Sequence, residues 1–194
     1  GVWSRFRLAD VVSVAATLLI AASVVMPALT SVRSQQQKIA CAGNMREMAT
    51  AMGLYAGGNR GHLPQAAGFG GRWIDVGTTP ERSNSANLYT LVRTGHVGLE
   101  PLACAGNPDA RRGDPEPGAT DWASLDEVSY SYQIVFGWRP NWRAGEGEGR
   151  VVILADGSPV VRRAVEGRVI DPMGGSPNHR ERGQQVLYND GSAE

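Results

Sequence analysis

Residues 11–32 read VVSVAATLLIAASVVMPALTSV, 22 positions without a charge, bracketed by Asp10 and Arg33. A run of about 20 apolar residues is long enough to cross the ~30 Å hydrocarbon core of a bilayer as a helix. It exceeds the 7–15-residue apolar core of a cleaved secretory signal, and Pro27-Ala28-Leu29 is not a small-x-small cleavage site. The run therefore reads as a retained membrane anchor. Basic residues stand on both sides, Arg5 and Arg7 before it and Arg33 and Lys38 after it. With so short a leading flank, the N-terminus is assigned to the cytoplasmic side and the rest of the chain to the outside. Pro27 removes one backbone donor from this helix, so a kink or local unwinding is expected there, with Ser23 one turn back to compensate.

The helical pattern does not stop at the edge of the apolar run. Cys41, Met45, Met48, Met52 and Tyr55 recur at three- and four-residue steps, which lays one apolar stripe along a second half of the same helix. Lys38, Arg46 and Glu47 fall off that stripe, and Gly57-Gly58-Asn59 is a helix stop. Residues 6–56 as one helix would measure roughly 75 Å. The division is then a transmembrane and stalk helix over 1–56 and a globular body over 57–194, a body large enough for a modest core. The stripe is expected to pack that helix on the body, with no cofactor role.

The body is rich in turns: most of the 25 glycines and 11 prolines fall after residue 56. Residues 57–82 and 104–123 read as loops, Trp73-Ile74 as a short strand, and 83–93 as a helix with Ser83 or Asn84 as its cap and Gly95 beyond its end. Residues 128–138 alternate as a strand. Residues 151–155 and 160–165 around Asp156-Gly157 read as a hairpin on a primed turn, and 185–188 before Asp190-Gly191 repeats that arrangement. The predicted class is α+β, a long helix on a small antiparallel sheet.

The 19 basic and 19 acidic residues cancel, so no net field favours nucleic acid. Two cysteines, Cys41 and Cys104, belong to no C-x-x-C pair; one disulfide outside the cytoplasm and two small buried thiols are both open readings. His62, His96 and His179 stand in no metalloprotease or hydrolase motif, and no catalytic constellation appears, so the chain is not expected to be an enzyme. Four tryptophans, Trp73, Trp122, Trp138 and Trp142, lie in or near loops and suit either ligand contact or capping of a small core.

Taken in order, these segments resemble the type IV pilin-like pseudopilins, in particular the type II secretion G-like group. Phe6-Arg7-Leu8-Ala9-Asp10, the apolar run and Pro27-Ala28-Leu29 are similar to the prepilin N-terminus. Cys41-Ala42-Gly43-Asn44-Met45-Arg46-Glu47-Met48 through Tyr55, with Gly61-His62-Leu63-Pro64 after it, is similar to the family's C-x-x-N-L-R-Q-L…Y…G-x-x-P segment. His179 to Asp190-Gly191 is similar to its H-x9-D-G tail, with ten intervening residues here. Leu102-Ala103-Cys104, Ser129-Tyr130-Ser131-Tyr132 and Leu154-Ala155-Asp156 match weaker landmarks, so the similarity runs almost end to end. Two positions depart from the pattern: Arg5 stands where the prepilin peptidase expects glycine, and Asp10 where the family has glutamate.

The resemblance implies a pilin-like fold and a structural, inner-membrane subunit of a secretion or pilus-like filament. Its globular domain would lie in the periplasm or at the cell surface, and its start would be a methylated Phe6. Implied partners are copies of itself, other pseudopilins, the secretion system's inner-membrane platform and the lipid bilayer. Phe6, Asp10 and Pro27 would be assembly residues, Asp10 attracting the free amine of the next subunit. His179, Asp190 and Gly191 would form the C-terminal motif, with His179 bonding backbone groups to hold the terminal loop on the sheet. Some major pseudopilins hold calcium in C-terminal loops; Asp171, Asp190 and Glu194 are the acids available, without EF-hand spacing. The alternative from another class is a monomeric anchored binding module that forms no filament.

Overall fold

The structure is a computed structural model that describes residues 8–66, 83–133, 142 and 149–194, with side chains from Val11 onward. The chain divides into two compact units, 1–36 and 37–194. Helix α1 (Leu8–Gly58) contributes to both, and its second half, expected to pack on the body through its stripe, is buried there by that stripe.

In the first unit, every residue from Val11 to Val32 is exposed, including Leu18, Leu19, Ile20 and Met26. This is a helix long and apolar enough to cross a membrane. The α-helix continues through Pro27 without the expected unwinding. Ser23 does not compensate the proline either: its hydroxyl donates to the Ile20 carbonyl at 2.7 Å, as Thr30 donates to Pro27 at 2.8 Å. Such back-bonding satisfies a hydroxyl that apolar surroundings would leave unpaired.

In the second unit, Cys41, Met45, Met48 and Met52 are fully buried and Tyr55 half-buried, while Arg46 and Glu47 are exposed. The helix ends at Gly58, where Asn59 Nδ2 donates to the Tyr55 carbonyl at 2.7 Å. The stripe joins Leu88, Tyr89 and Leu91 of α2 (Ser85–Arg93) and the sheet residues Tyr130, Ile153 and Leu187 in one core. Helix α2 lies within the expected bounds, and Gly95 follows its end with φ +71°. Its capping differs from expectation. Asn84 occupies the N-cap position without a side-chain cap: its Oδ1 accepts from Asn87 Nδ2 at 3.0 Å, while its Nδ2 donates to the Tyr132 carbonyl at 2.6 Å and binds the helix to the sheet.

Among the described residues three strands form one antiparallel sheet, β1 (Tyr130–Tyr132), β2 (Val152–Asp156) and β3 (Val186–Tyr188), with β2 central. Tyr130 pairs with Asp156 and Tyr132 with Leu154; an irregularity between Val152 and Leu154 puts adjacent Ile153 and Leu154 both in the interior. Of the strand expected over 128–138, the structure forms β1; residues 134–138, the expected Trp73-Ile74 strand and most of the 57–82 loop lie outside the described residues.

The hairpin expected at Asp156-Gly157 does not form. Residues Pro159–Val165 are instead a helix, α3, entered from Ser158. A proline at the first helical position is pre-organised for a helix and cannot donate to a ladder, and here that outweighs the Asp-Gly turn preference. The second turn does form. Gly191, at φ +85°, returns the chain so that Glu194 exchanges backbone bonds with Val186 at 2.8 and 3.0 Å.

Two tyrosines report on this core. Tyr132 donates its hydroxyl to the Pro64 carbonyl at 3.0 Å, and Tyr130 Oη accepts from Asn44 at 3.3 Å. Burial pushes both phenols well above their ordinary value of 10.0. The folded chain thus keeps protons that the unfolded chain releases. Stability contributed by the neutral phenols is fully present below about pH 10 and is lost above it, by up to about 1.4 kcal/mol per pH unit for each ring. Urea melts from about pH 9 to 11 should show that decline. Tyr132→Phe should remove about half of the slope at a cost of about 1 kcal/mol at neutral pH; an unchanged slope contradicts the burial of Tyr132.

Candidate functional site

Four segments distant in sequence converge at the end of β2. Cys41 comes from the α1 stripe, and Cys104 follows the 3₁₀ turn Glu100–Leu102. Asp156 closes β2, and His179 ends the 3₁₀ turn Pro177–His179. All four are buried. Cys41 and Cys104 form a disulfide with Cα atoms 5.3 Å apart, closing 63 residues of separation. Of the two readings the sequence left open, the bonded pair is the one found.

His179 Nε2 lies 2.9 Å from Asp156 Oδ2, with side-chain exposures of 1% and 0%. The same carboxylate oxygen accepts the Gln185 backbone N–H at 2.7 Å. His179 therefore does tie the terminal segment to the sheet, but through a carboxylate and not through the backbone groups expected. Burial is the leading influence on Asp156 and raises its pKa; the Gln185 N–H, His179 and the charge of Lys38 oppose it. Lys38 is held nearby by donating to the Arg182 carbonyl at 2.6 Å. Asp156 Oδ1 and His179 Nδ1 have no hydrogen-bond partner among the described residues.

Close backbone approach builds the surroundings. A Cβ at Gly106 would fall 1.8 Å from the Asn178 carbonyl oxygen, so only glycine fits beside the turn that carries His179. Gly106 also donates its N–H to Cys104 Sγ at 3.4 Å, and Asn178 Nδ2 donates to the Ser129 carbonyl at 2.6 Å.

Cys104 Sγ stands 4.0 Å from His179 Nε2, the same nitrogen that faces Asp156. In a nucleophile–imidazole–acid relay the two ring nitrogens serve different partners. Here they do not, and the sulfur is in a disulfide. The cluster as it stands is a staple of four segments.

The other expected site residues fall elsewhere. Asp190 and Gly191 make the terminal turn: Asp190 Oδ1 accepts from the Ser192 N–H at 2.8 Å and from the Ser192 hydroxyl. Those bonds lower the Asp190 pKa, with Arg150 adding to them. Arg150 lies 3.7 Å over the Tyr188 ring, 3.4 Å from Asp190 and 2.8 Å from Glu194. A guanidinium thus stands against two of the three acids considered for calcium, while Asp171 accepts from the Met173 N–H of its own turn. Pro27 lies inside α1, Asp10 is in the described backbone of that helix without a described side chain, and Phe6 lies outside the described residues. Trp122 packs edge-on against Tyr89 at 4.9 Å and Trp142 against Gly53, both half-buried on the core; Trp73 and Trp138 lie outside the described residues.

Sequence reasoning missed Asp156, which it read as a turn residue. The one signal for it was its place in the Leu154-Ala155-Asp156 landmark. Comparison of the chain with protein-family models, with curated proteins and with solved structures finds no match in any of the three.

Two stability measurements probe the cluster. Replacing both cysteines by serine removes a bond that closes more than 60 residues, and should cost about 2–4 kcal/mol in urea unfolding. Asp156→Asn and His179→Ala should each cost about 3 kcal/mol, because each leaves a buried polar partner unmatched. The double variant should lose clearly less than the sum, and strict additivity would show that the pair does not interact.

Proposed function

We propose that the chain is a pilin-like structural subunit, anchored by its N-terminal helix in the inner membrane and packed through that helix into a pseudopilin-type filament that serves secretion. The observation that carries the reading is the division of α1. Its residues 11–32 present an apolar surface that nothing in their own unit covers, while Cys41 to Ala56 supply the core of the body. One helix that needs an apolar environment over half its length, and builds a folded domain with the other half, suits a subunit that is stored in lipid and later packed against other helices. Small residues Ala15, Ala16, Ala21 and Ala22 permit such close helix packing. The disulfide supports a body in an oxidising compartment, the periplasm or the cell surface. The order of prepilin-like segments from Phe6 to Asp190-Gly191 supports the family assignment.

In this reading Asp10 attracts the amine of a neighbouring subunit. A carboxylate at the edge of an apolar helix is costly unless it is paired, which gives that attraction its force. The body carries structural and partner contacts and performs no chemistry.

Intact-mass and N-terminal analysis of the native protein tests the reading. A methylated Phe6 start together with cross-linked multimers is the expected result. An uncut N-terminus on a membrane-bound monomer overturns it in favour of the anchored binding module. Asp10→Ala should abolish multimers while leaving membrane insertion intact; assembly at the wild-type level removes the role given to Asp10. Added protease should digest the body in spheroplasts, and full protection would reverse the orientation.

A further inference from the structure

The disulfide shares its buried surroundings with two metal-ligand side chains that the S–S bond itself does not need. One ligand atom from each of Cys41, Cys104, Asp156 and His179 lies within 4.8 Å of the other three. In a tetrahedral zinc-type site, bonds of about 2.3 Å to sulfur and 2.0 Å to nitrogen or oxygen set neighbouring ligand atoms roughly 3.3–3.8 Å apart. His179 Nε2 stands 4.0 Å from Cys104 Sγ and 2.9 Å from Asp156 Oδ2. Apart from the two sulfurs, which must separate, the 4.8 Å limit leaves no spacing to change by more than about 1.5 Å.

We propose that reduction of the Cys41–Cys104 disulfide by a dithiol converts this cluster into a binding site for one zinc-type divalent cation. Its ligands are Cys41 Sγ, Cys104 Sγ, a carboxylate oxygen of Asp156 and the imidazole of His179. Three observations beyond proximity carry the assignment. Asp156 Oδ1 has no partner among the described residues, so the carboxylate has an oxygen to give while Oδ2 keeps the Gln185 N–H. His179 Nδ1 is likewise without a partner among those residues, so it can take the ring hydrogen when Nε2 turns to the cation. Two thiolates and a carboxylate exceed the charge of a divalent cation by one, and the Lys38 ammonium already acts on Asp156 from nearby. Thiolate and imidazole ligands select a zinc-like ion over calcium or magnesium.

The step balances. The dithiol gives up two electrons and becomes its own disulfide. Those electrons, with two protons, break the S–S bond into two thiols. The cation then displaces both thiol protons to solvent, and the hydrogen on His179 Nε2 moves to Nδ1. The oxidised chain offers no such site, because each sulfur is bonded to the other. The inference does not depend on filament assembly; it concerns the body alone.

Cobalt(II) is the probe, added to the full chain in detergent micelles after reduction with a water-soluble phosphine that takes the place of the dithiol. The expected result is one equivalent bound, with thiolate-to-cobalt charge-transfer absorption and tetrahedral d–d bands that zinc bleaches, and no such bands from the oxidised chain. His179→Ala and Asp156→Asn should each weaken binding by at least the roughly 10–100-fold that losing an outer-shell partner costs. A reduced chain that stays folded by circular dichroism and gives no cobalt–thiolate absorption overturns the proposal. Bands that neither variant alters also overturn it, since the cysteines alone would then be the ligands. If the reduced chain unfolds, zinc decides: recovery of near-ultraviolet dichroism at one equivalent supports the site, and failure to recover overturns it.

Discussion

The body depends on the burial of one helical stripe. Among the described residues the sheet is small: strands of three, five and three residues cannot enclose an interior by themselves. Cys41, Met45, Met48, Ala49 and Met52 supply the surface against which Leu88 and Leu91 of α2 and Tyr130, Ile153 and Leu187 of the sheet are buried. Fully burying a side chain such as methionine or leucine contributes about 1.5–3 kcal/mol, so the three methionines alone approach the whole net stability of an ordinary domain. Methionine suits the position because its unbranched chain fills irregular gaps between short strands and loops. If the stripe were polar, α2 and the sheet would lose the largest surface that they share.

Hydrophobic burial alone does not order the terminal third. Residues 166–185 contain little that is apolar and buried, and polar devices hold them. Asp156 is withdrawn from water at a cost that its raised pKa reflects, offset by the Gln185 N–H, His179 and Lys38. The disulfide acts on the other side of the equilibrium, reducing the entropy of the unfolded chain between the helix and the loop that passes Asn178. Because Gly106 touches the turn bearing His179, the bonded loop and the histidine segment are positioned together. A loss at either place loosens both.

What the sequence revealed follows from the range of each interaction. The exposed apolar run, the buried stripe and the stops at Gly58 and Gly95 are set by neighbours within four residues, and each was legible. Asp156-Gly157 was misread because a favoured local turn competed with the helix start at Ser158-Pro159 two residues on. Asn84 looked like a cap, yet the Asn87 amide took its oxygen and β1 its amide nitrogen. The pairing of Asp156 with His179 left no periodic trace, since it joins a strand end to a turn more than twenty positions away and only the fold brings them together. For the two cysteines, parity kept a bond in view, but burial of free thiols suited the same residues until their Cα atoms were placed 5.3 Å apart.

The two halves of α1 share one backbone geometry but carry surfaces suited to different surroundings. From Cys41 onward a single stripe is apolar and the opposite face carries Arg46 and Glu47, the pattern of a helix with water on one side. From Val11 to Val32 no face is polar, and the hydroxyls of Thr17, Ser23 and Thr30 are turned back onto carbonyls of the same helix at 2.7–2.8 Å. Hydroxyls satisfied within their own helix make no demand on solvent, which lowers the cost of placing that segment among hydrocarbon or other helices. An exposed apolar surface of this extent on a chain in water would itself drive association. The polar residues Arg33 to Gln37 mark the change of surface, and the compact body begins at Gln37.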